Sequence, residues 1–153
     1  MISKNPGFTL IEMMIVVVII AILAMISYPS YKSYVKKTNR MEAKAELMEI
    51  AGRLQKYKLI HSTFRPNNTP ITLATIGYAV NANGSIFIPK DRGTTYRISL
   101  QEVTDDGWLL VAMTENTQKG DGTLGLDHRG HHCWSKEDDR GRCTPNSATS
   151  WDD

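Results

Sequence analysis

The residues best equipped for chemistry crowd one short stretch, D-H-R-G-H-H-C-W, where His128, His131, His132 and Cys133 fall together and Cys143 follows downstream. Imidazole and thiolate are the usual ligands of zinc. The spacing fits no common zinc pattern, however, and a disulfide between the two cysteines would consume both sulfurs. Histidines in an exposed turn are the better reading, and no metal site is expected. The chain has no glycine-rich phosphate loop, no GxSxG elbow and no HExxH helix. Ser, His and Asp occur, but nothing in the sequence brings them together, so no catalytic residue, no cofactor and no enzyme activity are expected.

The second chemical oddity is a lone acid. From Phe8 to Ile26 the chain is apolar except for Thr9 and Glu12, and it contains no Lys, Arg or His. Nineteen helical residues span about 28 Å, close to the ~30 Å hydrocarbon core of a bilayer. A cleavable secretory signal has a shorter apolar region and a small-residue cleavage site, whereas S-Y-P-S-Y follows here. Twelve of the nineteen residues are Phe, Leu, Ile or Val, and their summed insertion free energy of about −4 to −7 kcal/mol outweighs one off-centre acid. An intramembrane carboxylate is a functional-site hypothesis that needs a partner. Glu12 is either protonated, drawn to the interface, or met by a cation from another chain. A cut between Gly7 and Phe8 would create that cation, a free α-amine one helical turn from Glu12 or directly against the Glu12 of a neighbour.

Composition divides the chain. Over 153 residues the net charge is +2, too small to argue for nucleic acid. Residues 30–60 hold eight Lys/Arg and three Glu, whereas residues 115–153 hold eight Asp/Glu and five Lys/Arg. The run Lys36, Lys37, Arg40 and Lys44 could pair with phosphates, but it sits just beyond the apolar segment, where lipid headgroups would hold it. Direct DNA binding through it is therefore disfavoured. The positive flank after the apolar run would place the larger part in the cytoplasm. The pair Cys133 and Cys143, beside a membrane-directing N-terminus, instead indicates one disulfide in an oxidising compartment, worth about 2–3 kcal/mol in the chain-entropy account. Two free thiols in the cytosol are the competing reading.

G-F-T-L-I-E, Gly7 to Glu12, after a short basic leader and before an unbroken apolar helix, resembles the class III signal of type IV prepilins. Y-P-S-Y-x-x-Y-V from Tyr28 and R-M-E-A-K-A-E-L from Arg40 resemble PilE-type minor pilins, and G-T-L-G-L-D-x-x-G from Gly122 followed by Cys133-Trp134 fits more loosely. The resemblance is strong over residues 1–60, weak over 61–93 and moderate over 94–143. It implies that a prepilin peptidase and N-methyltransferase cuts after Gly7 and methylates Phe8. It also implies that Glu12 neutralises the amine of an adjacent subunit during assembly, and that Pro29 permits a curved, locally melted stem rather than simply ending the helix. Its topology puts the C-terminal domain in the periplasm, which decides the orientation against the charge count.

The remaining pattern fits the expected α+β pilin fold: a long N-terminal helix packed on a small antiparallel β-sheet with a disulfide-closed C-terminal loop, 133–143. Residues 1–7 read as leader, 8–28 as transmembrane and polymerisation helix, and 29–60 as the amphipathic half. Ala43, Leu47, Ile50, Leu54 and Tyr57 form one apolar stripe, and Glu49 and Arg53 are spaced as an i, i+4 pair. Gly52 is expected at a close helix–sheet contact. Residues 61–93, rich in Asn, Gly and Pro, read as the αβ-loop, with one short helix or strand. Residues 94–153 form the sheet head: alternation in T-T-Y-R-I-S-L, a turn at residues 105–107, a buried strand from Trp108 to Thr114, a short one from Thr123 to Asp127, and a fourth starting in residues 131–134.

The expected function is a structural subunit, a minor pilin, of a type IV pilus. It would contribute to pilus biogenesis, twitching motility, adhesion or DNA uptake. Its expected partners are major and minor pilins in a helical filament, the processing peptidase, the inner-membrane assembly platform and the lipid itself. It would reside in the inner membrane before assembly and at the cell surface afterwards. A pseudopilin of a type II secretion system and a membrane-anchored periplasmic ligand- or metal-binding protein are the alternatives.

Overall fold

The computed structural model describes residues 7–89, 93–136, 138, 139, 141 and 143–151. The leader expected at 1–7 therefore lies outside the described residues except for Gly7. The chain forms two compact units, Met1–Lys37 and Thr38–Asp153.

One helix, α1, runs from Leu10 to His61. It begins in a stretch without glycine or proline, and it continues through Pro29. The reading in which Pro29 ends the helix is thus excluded, although proline supplies no N–H for the carbonyl of Met25. The helix stops at Ser62, whose φ of 63° is left-handed and whose N–H caps the Lys58 carbonyl at 2.7 Å. Lys58 and His61 place basic groups in the last turn, against the negative end of the helix dipole.

In the first unit the apolar part of α1 is bare. An 18-residue window long and apolar enough to cross a membrane has none of its residues buried. In water such a surface would be strongly unfavourable at roughly 25 cal/mol per Å², so this face requires lipid or other apolar helices.

In the second unit the amphipathic stripe does what its spacing requires. Ala43, Leu47, Ile50 and Leu54 are fully buried, and Tyr57 packs at the margin of the core. They cover a five-stranded antiparallel meander in the order β1 to β5: Ile86–Ile88, Tyr96–Gln101, Leu109–Thr114, Thr123–Asp127 and His132–Ser135. Register puts Ile86, Ile98, Ala112, Leu124 and Trp134 in one cross-strand row, and the first four are at most 3% exposed. Tyr96 and Ile98 point into the core as the alternation predicts. Burying each large aliphatic side chain contributes about 1.5–3 kcal/mol.

The connector after the helix is more structured than its composition suggests. A short 3-10 turn occupies Pro66–Asn68, and β1 is drawn from the same segment, pairing with β2. Phe64 and Leu73 from this region are buried in the core. The sheet therefore starts at Ile86, before residue 94.

One expectation is overturned. A Cβ at Gly52 would meet nothing within 4 Å, so this glycine faces open space and no close helix–sheet contact requires it. It lies on the wet side of α1, away from the Ala43–Leu54 stripe.

Candidate assembly site

In the first unit the lone acid is held by its own helix start. The Thr9 N–H and hydroxyl donate to Glu12 Oε2 at 3.1 and 3.0 Å, and the Glu12 N–H donates back to Thr9 Oγ1 at 3.3 Å. The Thr9 carbonyl accepts the first helical bond, from Met13, at 3.3 Å. This is a capping box, with Thr9 as N-cap and Glu12 three residues on, satisfying two N-terminal N–H groups reciprocally. The carboxylate also sits where the helix dipole favours negative charge. The T-x-x-E signature of this box stands in the sequence, and a reading of Glu12 as protonated, drawn to the interface or met by another chain's cation overlooks the partner three residues before it. Gly7 has open space around it, and Phe8 is 83% exposed beside this cap. Phe8, Thr9 and Glu12 are therefore brought together at an accessible helix end, and Pro29 lies further along the same helix.

In the second unit the residues that fix the head are ones the sequence did not single out. Arg40 on α1 makes two hydrogen bonds to Asp121, at 2.9 and 2.8 Å, and both side chains are nearly buried. The Asp121 carboxylate also accepts from the Tyr96 hydroxyl at 2.7 Å and from Gln118 Nε2 at 2.9 Å, while Asn39 donates to Gln118 Oε1 at 3.0 Å. The Arg40 guanidinium lies 3.6 Å from the centre of the Trp134 ring, whose N–H donates to the Asp121 carbonyl. Burial pushes the Asp121 carboxyl up, but the hydrogen bonds from Arg40, Tyr96 and Gln118 and the Arg40 charge outweigh it and hold it below the usual carboxylate range. Burial first, and then the bond to Asp121, raise the Tyr96 phenol.

This network bears on the basic run Lys36, Lys37, Arg40 and Lys44. Arg40 is committed to Asp121, and Lys44 donates to the Trp151 carbonyl at 2.8 Å. Neither faces out as a phosphate contact.

Cys133 and Cys143 are joined in a disulfide. It lies on the sheet face opposite the helix, over Gly125. A Cβ at Gly125 would come within 2.8 Å of the Cys133 sulfur and 3.3 Å of the Pro145 ring. The absence of a side chain there lets the tail close down, and Trp151 Nε1 donates to the Gly125 carbonyl at 3.2 Å.

The histidines are spread among separate duties. His131 Nδ1 pairs with Asp127 at 3.0 Å, His132 Nδ1 contacts the Gly130 carbonyl and its ring packs on Trp151, and His128 lies against Gly107. Among the described residues no group of three or more His, Cys, Asp or Glu side chains is arranged to hold a metal ion.

Comparison with known proteins bears on both units. The family described as "Type IV minor pilin ComP, DNA uptake sequence receptor" matches residues 29–126, more than half of the chain. The prokaryotic N-terminal methylation motif matches residues 2–28. No curated protein matches significantly. Among solved structures, the non-core minor pilin PilV of Neisseria meningitidis is 16% identical with a TM-score of 0.48, over 78% of this chain and 98% of that one.

Proposed function

This chain belongs to the family of type IV minor pilins described as ComP, DNA uptake sequence receptor, and from that premise we propose how its two units serve a pilus. It is a membrane-anchored minor pilin, with the fold of structural subunits rather than of enzymes. The peptidase removes the leader after Gly7 and methylates Phe8, and the head folds in the periplasm, where the Cys133–Cys143 disulfide forms. The bare face of α1 between Leu10 and Ile26 first lies in the inner membrane. It then exchanges lipid for the helices of other pilins, major and minor, as the assembly platform inserts the subunit.

The observation that carries this reading is the Thr9–Glu12 capping box. It keeps the Glu12 carboxylate at the exposed helix start, next to the residue that becomes the amino terminus. There it can meet the amine of Phe8 in a neighbouring subunit, and in low dielectric such a charge pair sets register because an unmatched charge is costly. Pro29 gives the helix a place to bend during insertion. Of the processes that pili serve, DNA uptake is the one the family's description supports, with DNA as the extracellular ligand of the head.

Mass spectrometry of the protein recovered from cells tests the processing. The expected mass lacks residues 1–7 and carries one added methyl group. A protein retaining its leader in sheared filaments would overturn the scheme.

A further inference from the structure

We propose that the groove beside the C-terminal turns of α1 is a phosphate-contacting site for duplex DNA, with Lys56 as its principal cation. This rests on the reading of the head as a DNA-binding module. The groove has a volume of about 450 Å³ and is lined by Arg53, Lys56, Tyr57, Ile60, Thr75 and Gly77, among others. No acid lines it. A second groove, of about 300 Å³ at the far end of β2 to β4, is lined by Glu102 and Asp127 together with His128. Its two carboxylates would repel a polyanion, so electrostatics favours the helix groove.

Each part of the site has a definite state. Lys56 is exposed and pairs with no acid among the described residues, so its charge is available to a phosphate. Arg53 lies one turn earlier on the same face, at the i, i+3 spacing that separates Cβ atoms by about 5–6 Å. Its guanidinium is already oriented, bonded to Glu49 at 2.7 Å, directed at the Ile76 carbonyl and seated over the Tyr78 ring. A Cβ added at Gly77, whose φ is +90°, would stand 3.7 Å from that guanidinium. Glu49 neutralises part of the Arg53 charge, which leaves Lys56 as the uncompensated cation. Tyr57, stacked on His61 with ring centres 4.1 Å apart, and the exposed Ile60 give the groove an apolar floor against which a sugar can lie. Contacts of this type position a duplex without reading its sequence.

The test uses the full chain in detergent micelles and fluorescence anisotropy with labelled duplexes of two unrelated sequences, over a salt series. Loss of one phosphate contact makes the log–log salt slope shallower by about 0.9. Lys56→Gln should show that change equally on both duplexes, with an unaltered thermal midpoint because the side chain is exposed. Lys56→Arg should restore the slope. If the parent protein binds duplex DNA and Lys56→Gln leaves the slope unchanged, the site is elsewhere and this assignment is wrong. If the parent protein binds neither duplex, the DNA-binding reading itself falls, and the site with it.

Discussion

Arg40 and Asp121, 81 positions apart, meet through two hydrogen bonds at 2.8 and 2.9 Å, and this pair ties the start of the head's helix to the turn before β4. Both charges are nearly out of water, so neither can lose its partner cheaply. Tyr96, Gln118 and the face of Trp134 complete their coordination.

Removing one partner should therefore be severe. Arg40→Ala is expected to destabilise the head by about 3–5 kcal/mol, the cost of stranding a buried charge. Denaturant unfolding of the detergent-solubilised chain reads this directly. A change below about 1 kcal/mol, the range of an exposed pair, would show that the network does not hold the helix to the sheet.

The same network gives the head a stability plateau with two edges. Asp121 has a depressed folded pKa, so its contribution is present above the unfolded value of about 4 and is lost as pH falls through the lower folded value. Tyr96 has a raised folded pKa, so its contribution is intact below about 10 and is lost as pH rises beyond it. Tyr78 is raised too, mainly by burial and then by Glu46, and adds to the alkaline edge. Unfolding midpoints measured across pH should fall at both ends, and Tyr96→Phe should soften the alkaline fall.

Gly125 and Gly52 should respond in opposite ways to alanine. At Gly125 a methyl would collide with the disulfide sulfur, Pro145 and the Cys143 carbonyl, an overpacking that costs about 1–3 kcal/mol. At Gly52 a methyl meets nothing, so the gain in helix propensity, up to about 1 kcal/mol, should appear as a higher thermal midpoint. Equal effects of the two substitutions would contradict the placement of these residues.

Reducing the Cys133–Cys143 bond should lower stability by about 2–3 kcal/mol through the freed loop. Double replacement by serine should reproduce the loss and make the protein insensitive to reductant. Continued sensitivity of that variant would point to a different redox group.

At the helix start, Glu12→Ala should leave membrane insertion intact and impair incorporation into filaments, because the acid proposed to receive a neighbour's amine is gone. Thr9→Ala should act more mildly. It removes the N-cap hydroxyl, worth about 0.5–2 kcal/mol, while keeping the carboxylate. Immunoblots of membranes and sheared filaments distinguish the two steps, and normal amounts of Glu12→Ala protein in filaments would count against the charge pair.

Much of this molecule is written in local spacing. The apolar run from Phe8 to Ile26 specifies an element that needs lipid or other helices, whatever the rest does. Steps of three and four from Ala43 to Leu54 specify the buried face of α1, and the alternation of Tyr96 and Ile98 specifies the inner face of β2. Even the capping box is legible as T-x-x-E from Thr9 to Glu12, since each of these features depends on neighbours within a turn or two of backbone. Tertiary structure alone decided the rest. Nothing in the local pattern pairs Arg40 with Asp121 or aims Gln118 between Asn39 and Asp121, because such meetings depend on how the meander's register and loops close. For the same reason Gly52 proved to face open space, while Gly125 proved to be the glycine that makes room for the disulfide. Periodicity tells which face of an element is turned inward, but the identity of what it meets is set only when distant segments are brought into register.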